Sequence, residues 1–323
     1  MNIIPVVHCF DDNFVLPACI SFYSMLEHAD KNYFYKLYVM HSDISQENQN
    51  KLARIVNKFS NASIDFIDMN NQFMDLFSQT KNKAHYSKEI YYKFLVAKLF
   101  TQYDKAIITD VDVVFLDDIS KDFVSFDVND EYYLAGVKGL FKKDSWLFDF
   151  IKIYKNFTKE EKEKLLTGAG YWIFNLKKMR QDNMVEKFID FALKNAKRIK
   201  QPEQDTVNIV CAPNIKLLHP RVMVCAFHYD MYKSSEDYSK DVRYSPVIVK
   251  EAIEKPVQLH YAGKKPWNGG KTKAKIWFEY LYKLDLIDDY VDFINNLMTP
   301  KTKRVCSFKL PFLKNELIIL KTK

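Results

Sequence analysis

Over its first 110 residues the chain alternates short apolar runs with amphipathic stretches, and this alternation narrows the folds open to it. Residues 3–10 form an apolar run that stops at Asp11-Asp12-Asn13, a turn-and-cap cluster. Residues 14–28 carry Val15, Cys19, Phe22 and Leu26 at helical spacing, with Pro17 in the first turn. Residues 37–40 read as a strand, Ser45 is placed to cap a helix to about residue 59, and 63–67 read as a third strand. A helix over 89–100 and a strand over 106–110 follow. The pattern predicts an α/β fold with a largely parallel sheet covered by helices on both faces. Ligands of such sheets bind beyond the carboxyl ends of the strands. Asp11, Asn13, Asp110 and Asp112 all fall at such ends, so one crevice can gather them.

The second half is more mixed. Residues 134–137 and 171–175 read as strands, 145–157 as an aromatic-rich helix, and 176–196 as one long helix. No internal repeat is present. From about residue 300 the chain is lysine-rich and apolar by turns.

The chemistry concentrates at Thr109-Asp110-Val111-Asp112. In an extended backbone residues i and i+2 face the same way, which would turn both carboxylates outward and Val111 into the core. Two anionic groups held that close repel each other, and a positive charge between them relieves the strain. A divalent cation with oxygen ligands fits, of the kind that clamps a phosphate-bearing substrate. A solvated turn at a strand end is the plainer alternative.

Composition excludes several classes. The 323 residues suffice for one large domain, or a domain with a tail. Five cysteines, an odd number with no C-x-x-C pair, argue for a reducing compartment and against a disulfide framework or a cysteine zinc site. The first residues do not resemble a signal peptide, and no apolar run is long enough to span a membrane. These features predict a cytoplasmic protein. Charge is uneven: residues 264–323 hold 13 Lys/Arg against 6 Asp/Glu, which accounts for the whole net charge of +7. Lys301, Lys303, Arg304, Lys309, Lys314, Lys321 and Lys323 interleave there with Val305, Phe308, Leu310, Phe312, Leu313 and Leu317. Such a tail suits an anionic membrane surface; nucleic acid is not expected, because no recognition motif accompanies it.

Taken in order, several segments resemble the family 8 glycosyltransferases. Phe10-Asp11-Asp12-Asn13-Phe14 resembles that family's first-strand uridine site. Tyr91-Tyr92-Lys93-Phe94-Leu95 resembles the helix before its metal motif, and Asp110-Val111-Asp112 the Asp-x-Asp itself. Ala169-Gly170-Tyr171 through Asn175-Leu176 resembles its Ala-Gly strand, and Glu203-Gln204-Asp205 its Asp-Gln-Asp segment. His260-Tyr261-Ala262-Gly263-Lys264-Lys265-Pro266-Trp267 resembles its most specific signature, His-x-x-Gly followed by Lys-Pro-Trp.

The resemblance implies a GT-A fold over residues 1–267, with 268–323 as a helical and basic extension. It implies a UDP-hexose donor, a divalent metal (Mn2+ or Mg2+), and transfer to a saccharide hydroxyl with retention, in bacterial lipopolysaccharide or other surface-glycan synthesis. Asp110, Asp112 and His260 are then the metal ligands, and an imidazole beside carboxylates suits Mn2+ better than Ca2+. Asp11, Asn13, Lys93, Asp110, Val111, Gly263 and Lys265 are expected to hold the donor; Asp11 and Asn13 serve equally as helix caps. Gln204 and Asp205 are expected at the sugar, with Gln204 opposite the leaving group. An amide is a poor nucleophile, which favours front-face substitution over a covalent intermediate. A lipid-linked acceptor would explain peripheral attachment to the cytoplasmic leaflet.

Three positions depart from the family. Gly168 stands where Asn is common, Gly139 where an Asp is common, and Lys93 where Arg is usual. They leave two rival readings: a catalytically impaired nucleotide-sugar-binding protein, or a UDP-sugar hydrolase. The histidines other than His260 and all four tryptophans are expected to be structural.

Overall fold

The computed structural model describes residues 2–70, 72–79, 87–143, 154–297, 306–309 and 317–320. They form two compact units, Met1–Gly263 and Lys264–Lys323. The first contains strands β1 Asn2–Cys9, β2 Tyr33–His41, β3 Ala62–Asp68, β4 Lys105–Thr109, β5 Val113–Phe115, β6 Leu134–Val137, β7 Tyr171–Asn175, β8 Ile215–Leu218, β9 Val224–Cys225 and β10 Gln258–His260.

Seven of them form one sheet in the order β3-β2-β1-β4-β7-β6-β8. The expected parallel arrangement holds across β3, β2, β1 and β4, where Val6 lies opposite Ile107 and Val7 opposite Ile108. It gives way at β7, which runs antiparallel to both β4 and β6, so the sheet is mixed. Every residue of β7 is buried. A run buried on both faces reads the same in either direction, and the apolar pattern therefore carried no sign of the reversal.

The helices follow the same logic. Val15–Glu27 buries Cys19, Phe22 and Leu26 as the spacing predicts, and Ser45 caps Gln46–Val56 by accepting from the Asn48 amide. Two expected helices differ. Residues 88–95 wind as a 3-10 helix, Lys88–Leu95, before the short α-helix Val96–Leu99. In the tighter winding i and i+3 eclipse, which stacks Tyr91 near Phe94 with ring centres 5.6 Å apart. The single helix over 176–196 is two, Leu176–Gln181 and Met184–Asn195. The break is at Asn183, whose φ of 52° is left-handed, a conformation asparagine tolerates. The helix expected over 145–157 falls mostly outside the described residues, as do His85 and Trp146.

A large core cluster lies between the sheet and the helices around Tyr91, Tyr92, Phe94, Trp172 and Phe188. Beside the main sheet, β5, β10 and β9 make a second, three-stranded one. In the other unit, Trp267 packs on Trp277 (5.1 Å), and Tyr290 and Phe278 complete the cluster. Helices Ala274–Lys283 and Ile287–Leu297 belong to it, and so does a strand pair, Cys306–Lys309 with Leu317–Leu320. The rest of the basic tail lies outside the described residues. Among those described, no helix is long and apolar enough to cross a membrane.

Candidate active site

Strand β4 ends at Thr109, one residue earlier than expected, and the chain bends through Val111 and Asp112 into β5. The Thr109 hydroxyl and the Asp110 amide both donate to the Gly170 carbonyl, at 2.9 and 3.4 Å, which closes the ladder there. The carboxylates thus converge through a bend rather than through strand alternation, and Val111 is buried as anticipated. The third group arrives by register. Strand β10 pairs antiparallel with β5, His260 opposite Val113, and the Tyr261 amide extends the ladder to the Asp112 carbonyl (2.9 Å). His260 therefore stands beside Asp112, its Nε2 3.2 Å from Asp112 Oδ1 and 3.7 Å from Asp110 Oδ2. One ligand atom from each of the three residues lies within 4.8 Å of the others.

The carboxylates of this cluster stabilise positive charge on the neighbouring ring. Burial alone would lower the pKa of the His260 imidazolium; the charge and hydrogen bond of Asp112, helped by Cys225, outweigh it and push it up to about 10. Gly170 sets the ring position, because a Cβ there would stand 2.6 Å from His260 Nδ1.

Lys93 is neither solvated nor at the surface. It is fully buried, with Nζ 2.7 Å from Asp110 Oδ1, 3.7 Å from Glu203 Oε1 and 3.4 Å from the Ala169 carbonyl. Burial would lower its pKa, but Asp110 and Glu203 raise it above the usual lysine range. A shorter cation in place of arginine is thus absorbed as a buried counter-charge to the Asp110 carboxylate.

Gln204 lies on the helix Pro202–Cys211, its Oε1 accepting from the Ala169 amide at 2.9 Å. Asp205 faces inward. Its oxygens accept from the Tyr154 hydroxyl (2.9 Å) and the Lys200 and Gln201 amides (2.7 and 3.0 Å), which holds the start of that helix. Burial pushes its carboxyl up to about 6. Parallel pairing of β1 with β4 carries Asp11 and Asn13 to the same end of the sheet as Asp110. Asp11 accepts from the Asn13 amide (3.1 Å), so the capping role holds. Burial, then Glu89 and Asp43, push its carboxyl up to about 6. Gly263 is exposed with φ +87°, a conformation that suits glycine. Lys265 belongs to the second unit and opens the turn Pro266–Asn268.

Sequence reasoning gave no role to Glu203 or Asn208. Glu203 is buried against Lys93 with Oε2 unpartnered. Asn208 accepts from the Leu166 and Thr167 amides and donates to the Thr167 and Gln204 carbonyls, pinning the chain before Gly168 to the helix that carries Gln204. A buried polar residue one turn after Gln204 was the available signal.

The sequence model of glycosyl transferase family 8 matches residues 5–270. The chain belongs to this family. It is 26% identical over 286 residues to General stress protein A of Bacillus subtilis (strain 168), covering 87% of this chain and 93% of that protein. Its structure resembles that of the galactosyltransferase LgtC in complex with donor and acceptor sugar analogues, with a TM-score of 0.65 at 20% identity, covering 87% of this chain and 96% of that one. It also resembles the bifunctional glycosyltransferase WbbM, at a TM-score of 0.62 and 23% identity over 93% of this chain; this chain spans half of WbbM. The fold is GT-A, and the protein is a glycosyltransferase, an enzyme class that joins a nucleotide-sugar donor to a saccharide acceptor.

Proposed function

We propose that this family 8 enzyme is a retaining transferase. It moves a hexose from UDP to a saccharide hydroxyl in bacterial lipopolysaccharide or related surface-glycan synthesis. The observation that carries the reading is the convergence of Asp110, Asp112 and His260 at the carboxyl end of the sheet. Two carboxylates and one imidazole, with ligand atoms this close, fit a divalent cation such as Mn2+ or Mg2+. When bound, such an ion supplies charge stabilisation to the departing diphosphate.

The remaining steps fall to the chain itself. Lys93 fixes Asp110, and Asp11 and Asn13 offer acceptor and donor groups to the uracil or ribose. Val111 sets the bend between the ligands, and Gly263 admits the phosphates. Gln204 is tethered at the Ala169 amide and lends its dipole to the oxocarbenium-like sugar; Asp205 positions it by holding the start of the helix. A glutamine-to-glutamate mutant of LgtC is described as an active-site mutant, in keeping with this role. The bond from the anomeric carbon to the phosphate oxygen breaks, the bond to the acceptor oxygen forms on the same face, and the hydroxyl proton passes to the departing phosphate. The acceptor is a lipid-linked saccharide, and the basic segment 298–323 rests on an anionic membrane surface.

A thermal-shift panel of UDP-hexoses with and without Mn2+ tests the reading. A ligand that binds only the native state raises its stability by mass action. The expected result is a shift with UDP-hexose and Mn2+ together that vanishes in Asp112→Asn. UDP release only in the presence of acceptor supports transfer; equal release without it would identify a hydrolase.

A further inference from the structure

A second charged feature, of opposite sign, lies a few contacts from the carboxylate–imidazole cluster. His260 pairs with Cys225 across β10 and β9. The Cys225 amide donates to His228 Nδ1 at 3.2 Å, and a Cβ on Gly139 would stand 3.8 Å from that ring. Over Gly139 sits Arg243, which donates to the Gly139 carbonyl at 2.7 Å and lies 4.5 Å from the centre of the Phe141 ring. Lys138, partly exposed, is the residue before Gly139.

This corner is built to be rigid. The Phe141 amide donates to Asp241 Oδ2, the Val242 amide to the Phe141 carbonyl, and the Lys143 amide to the Lys240 carbonyl. The Tyr244 hydroxyl donates to the Lys138 carbonyl at 2.6 Å. The nearest carboxylate, Asp241, is already spent. It accepts from the Arg243 and Tyr244 amides on one oxygen, and from the Phe141 amide and the Tyr232 hydroxyl on the other. The neighbouring Lys142 is paired with Asp237. Among the described residues neither Lys138 nor Arg243 forms an ion pair with a carboxylate. The two cations flank Gly139: Lys138 precedes it, with its carbonyl held by Tyr244, and the exposed Arg243 binds the Gly139 carbonyl, so they share one corner of the surface. Two like charges on one corner favour an anion beside them. The planar guanidinium, with one N–H committed to Gly139, keeps others for an oxyanion.

We propose that Lys138 and Arg243 form an anion subsite, which receives a carboxylate or phosphate carried by one of the two sugars that meet at the Asp110–Asp112–His260 cluster. The inference rests on the donor reading of that cluster given above. A pair of cations on a fixed corner suits a single charged group on a sugar, not an extended polyanion.

Calorimetric titration of the full-length protein with Mn2+ tests it in two arms. In the first, UDP, UDP-glucose, UDP-galactose, UDP-glucuronate and UDP-galacturonate are compared. In the second, protein saturated with UDP is titrated with methyl glucoside and methyl galactoside against glucuronate, galacturonate and glucose 6-phosphate. In one arm an anionic probe should bind about tenfold tighter than its neutral counterpart. That advantage should vanish in the Lys138→Gln/Arg243→Gln double variant and in Gly139→Asp, with UDP affinity unchanged. Gly139→Asp meets only one atom, at ordinary contact distance, and sets an internal carboxylate beside both cations. The arm that responds tells whether donor or acceptor bears the charge. Equal binding of neutral and anionic probes in both arms, or an advantage that survives both variants, overturns the subsite alone. Failure of UDP to bind with Mn2+ overturns the donor reading and the subsite with it.

Discussion

Replacing Gly170 by alanine should damage the proposed metal site through a single methyl group. The new Cβ would stand 2.6 Å from His260 Nδ1, 2.7 Å from its Cε1 and 2.9 Å from Met223 Sδ. Ordinary contact begins near 3.4 Å, so the ring must retreat by about 0.8 Å. It has little room, since Nε2 already lies 3.2 Å from Asp112 Oδ1. Overpacking of this kind costs about 1–3 kcal/mol of stability. The larger effect falls on the ligand set, which tolerates displacements of only about 0.2 Å, so Mn2+ affinity should drop about 10–100-fold. Gly136→Ala is the control: its Cβ would stand 2.8 Å from Trp172 Cδ1, a clash of similar severity in the core. Urea unfolding and Mn2+ titration of both variants in the presence of UDP separate the two effects. Both should lose comparable stability, and only Gly170→Ala should lose affinity. If Gly170→Ala binds Mn2+ as tightly as Gly136→Ala does, the Gly170 backbone does not position His260 for a metal.

Lys93→Met leaves Asp110 and Glu203 without their buried cation and should cost about 3 kcal/mol in urea unfolding; adding Glu203→Gln should recover part of that, and strict additivity of the two would refute the coupling. For Asp205, burial raises the carboxyl from 3.8 to about 6, so the folded state holds its proton more tightly than the unfolded one. Its contribution is therefore full below about pH 4, is lost as pH rises through 6, and is constant above. The stability of Asp205→Asn relative to the parent should improve by up to about 3 kcal/mol between pH 4 and pH 7, and a difference that stays flat with pH would contradict the assignment. Removal of residues 298–323 should abolish co-sedimentation with anionic vesicles while leaving UDP-dependent thermal shifts intact; unchanged co-sedimentation would refute the membrane role.

Most strands and helices of the first half were legible because they are amphipathic or uniformly apolar, with caps such as Ser45 and Asp11 at some of their ends. The convergence of the candidate cluster was legible too, since Asp110, Asp112 and His260 sit in recognisable motifs and the structure brings them together. What escaped was whatever depends on pairing between distant segments. The direction of β7 leaves no trace in five buried residues. The burial of Lys93 depends on Glu203 and Asp110, each far from it in the chain, and nothing local marks a lysine as interior. The turn inward of Asp205 follows from Tyr154 and the backbone of Lys200 and Gln201, which fix it as a helix support. The break at Asn183 is a local event, but asparagine is also tolerated within helices, and only its left-handed φ decides the matter.

The ladder that joins β5 to β10 also sets an order of events. The two carboxylates leave the ribosome long before the imidazole, which comes with the last strand of the catalytic unit. A nascent or truncated chain that stops short of His260 offers an incomplete ligand set and a weak grip on any ion. On the proposed metal role, tight capture of the cation would mark a first unit whose final strand has docked, and the ion would in turn hold that docking shut.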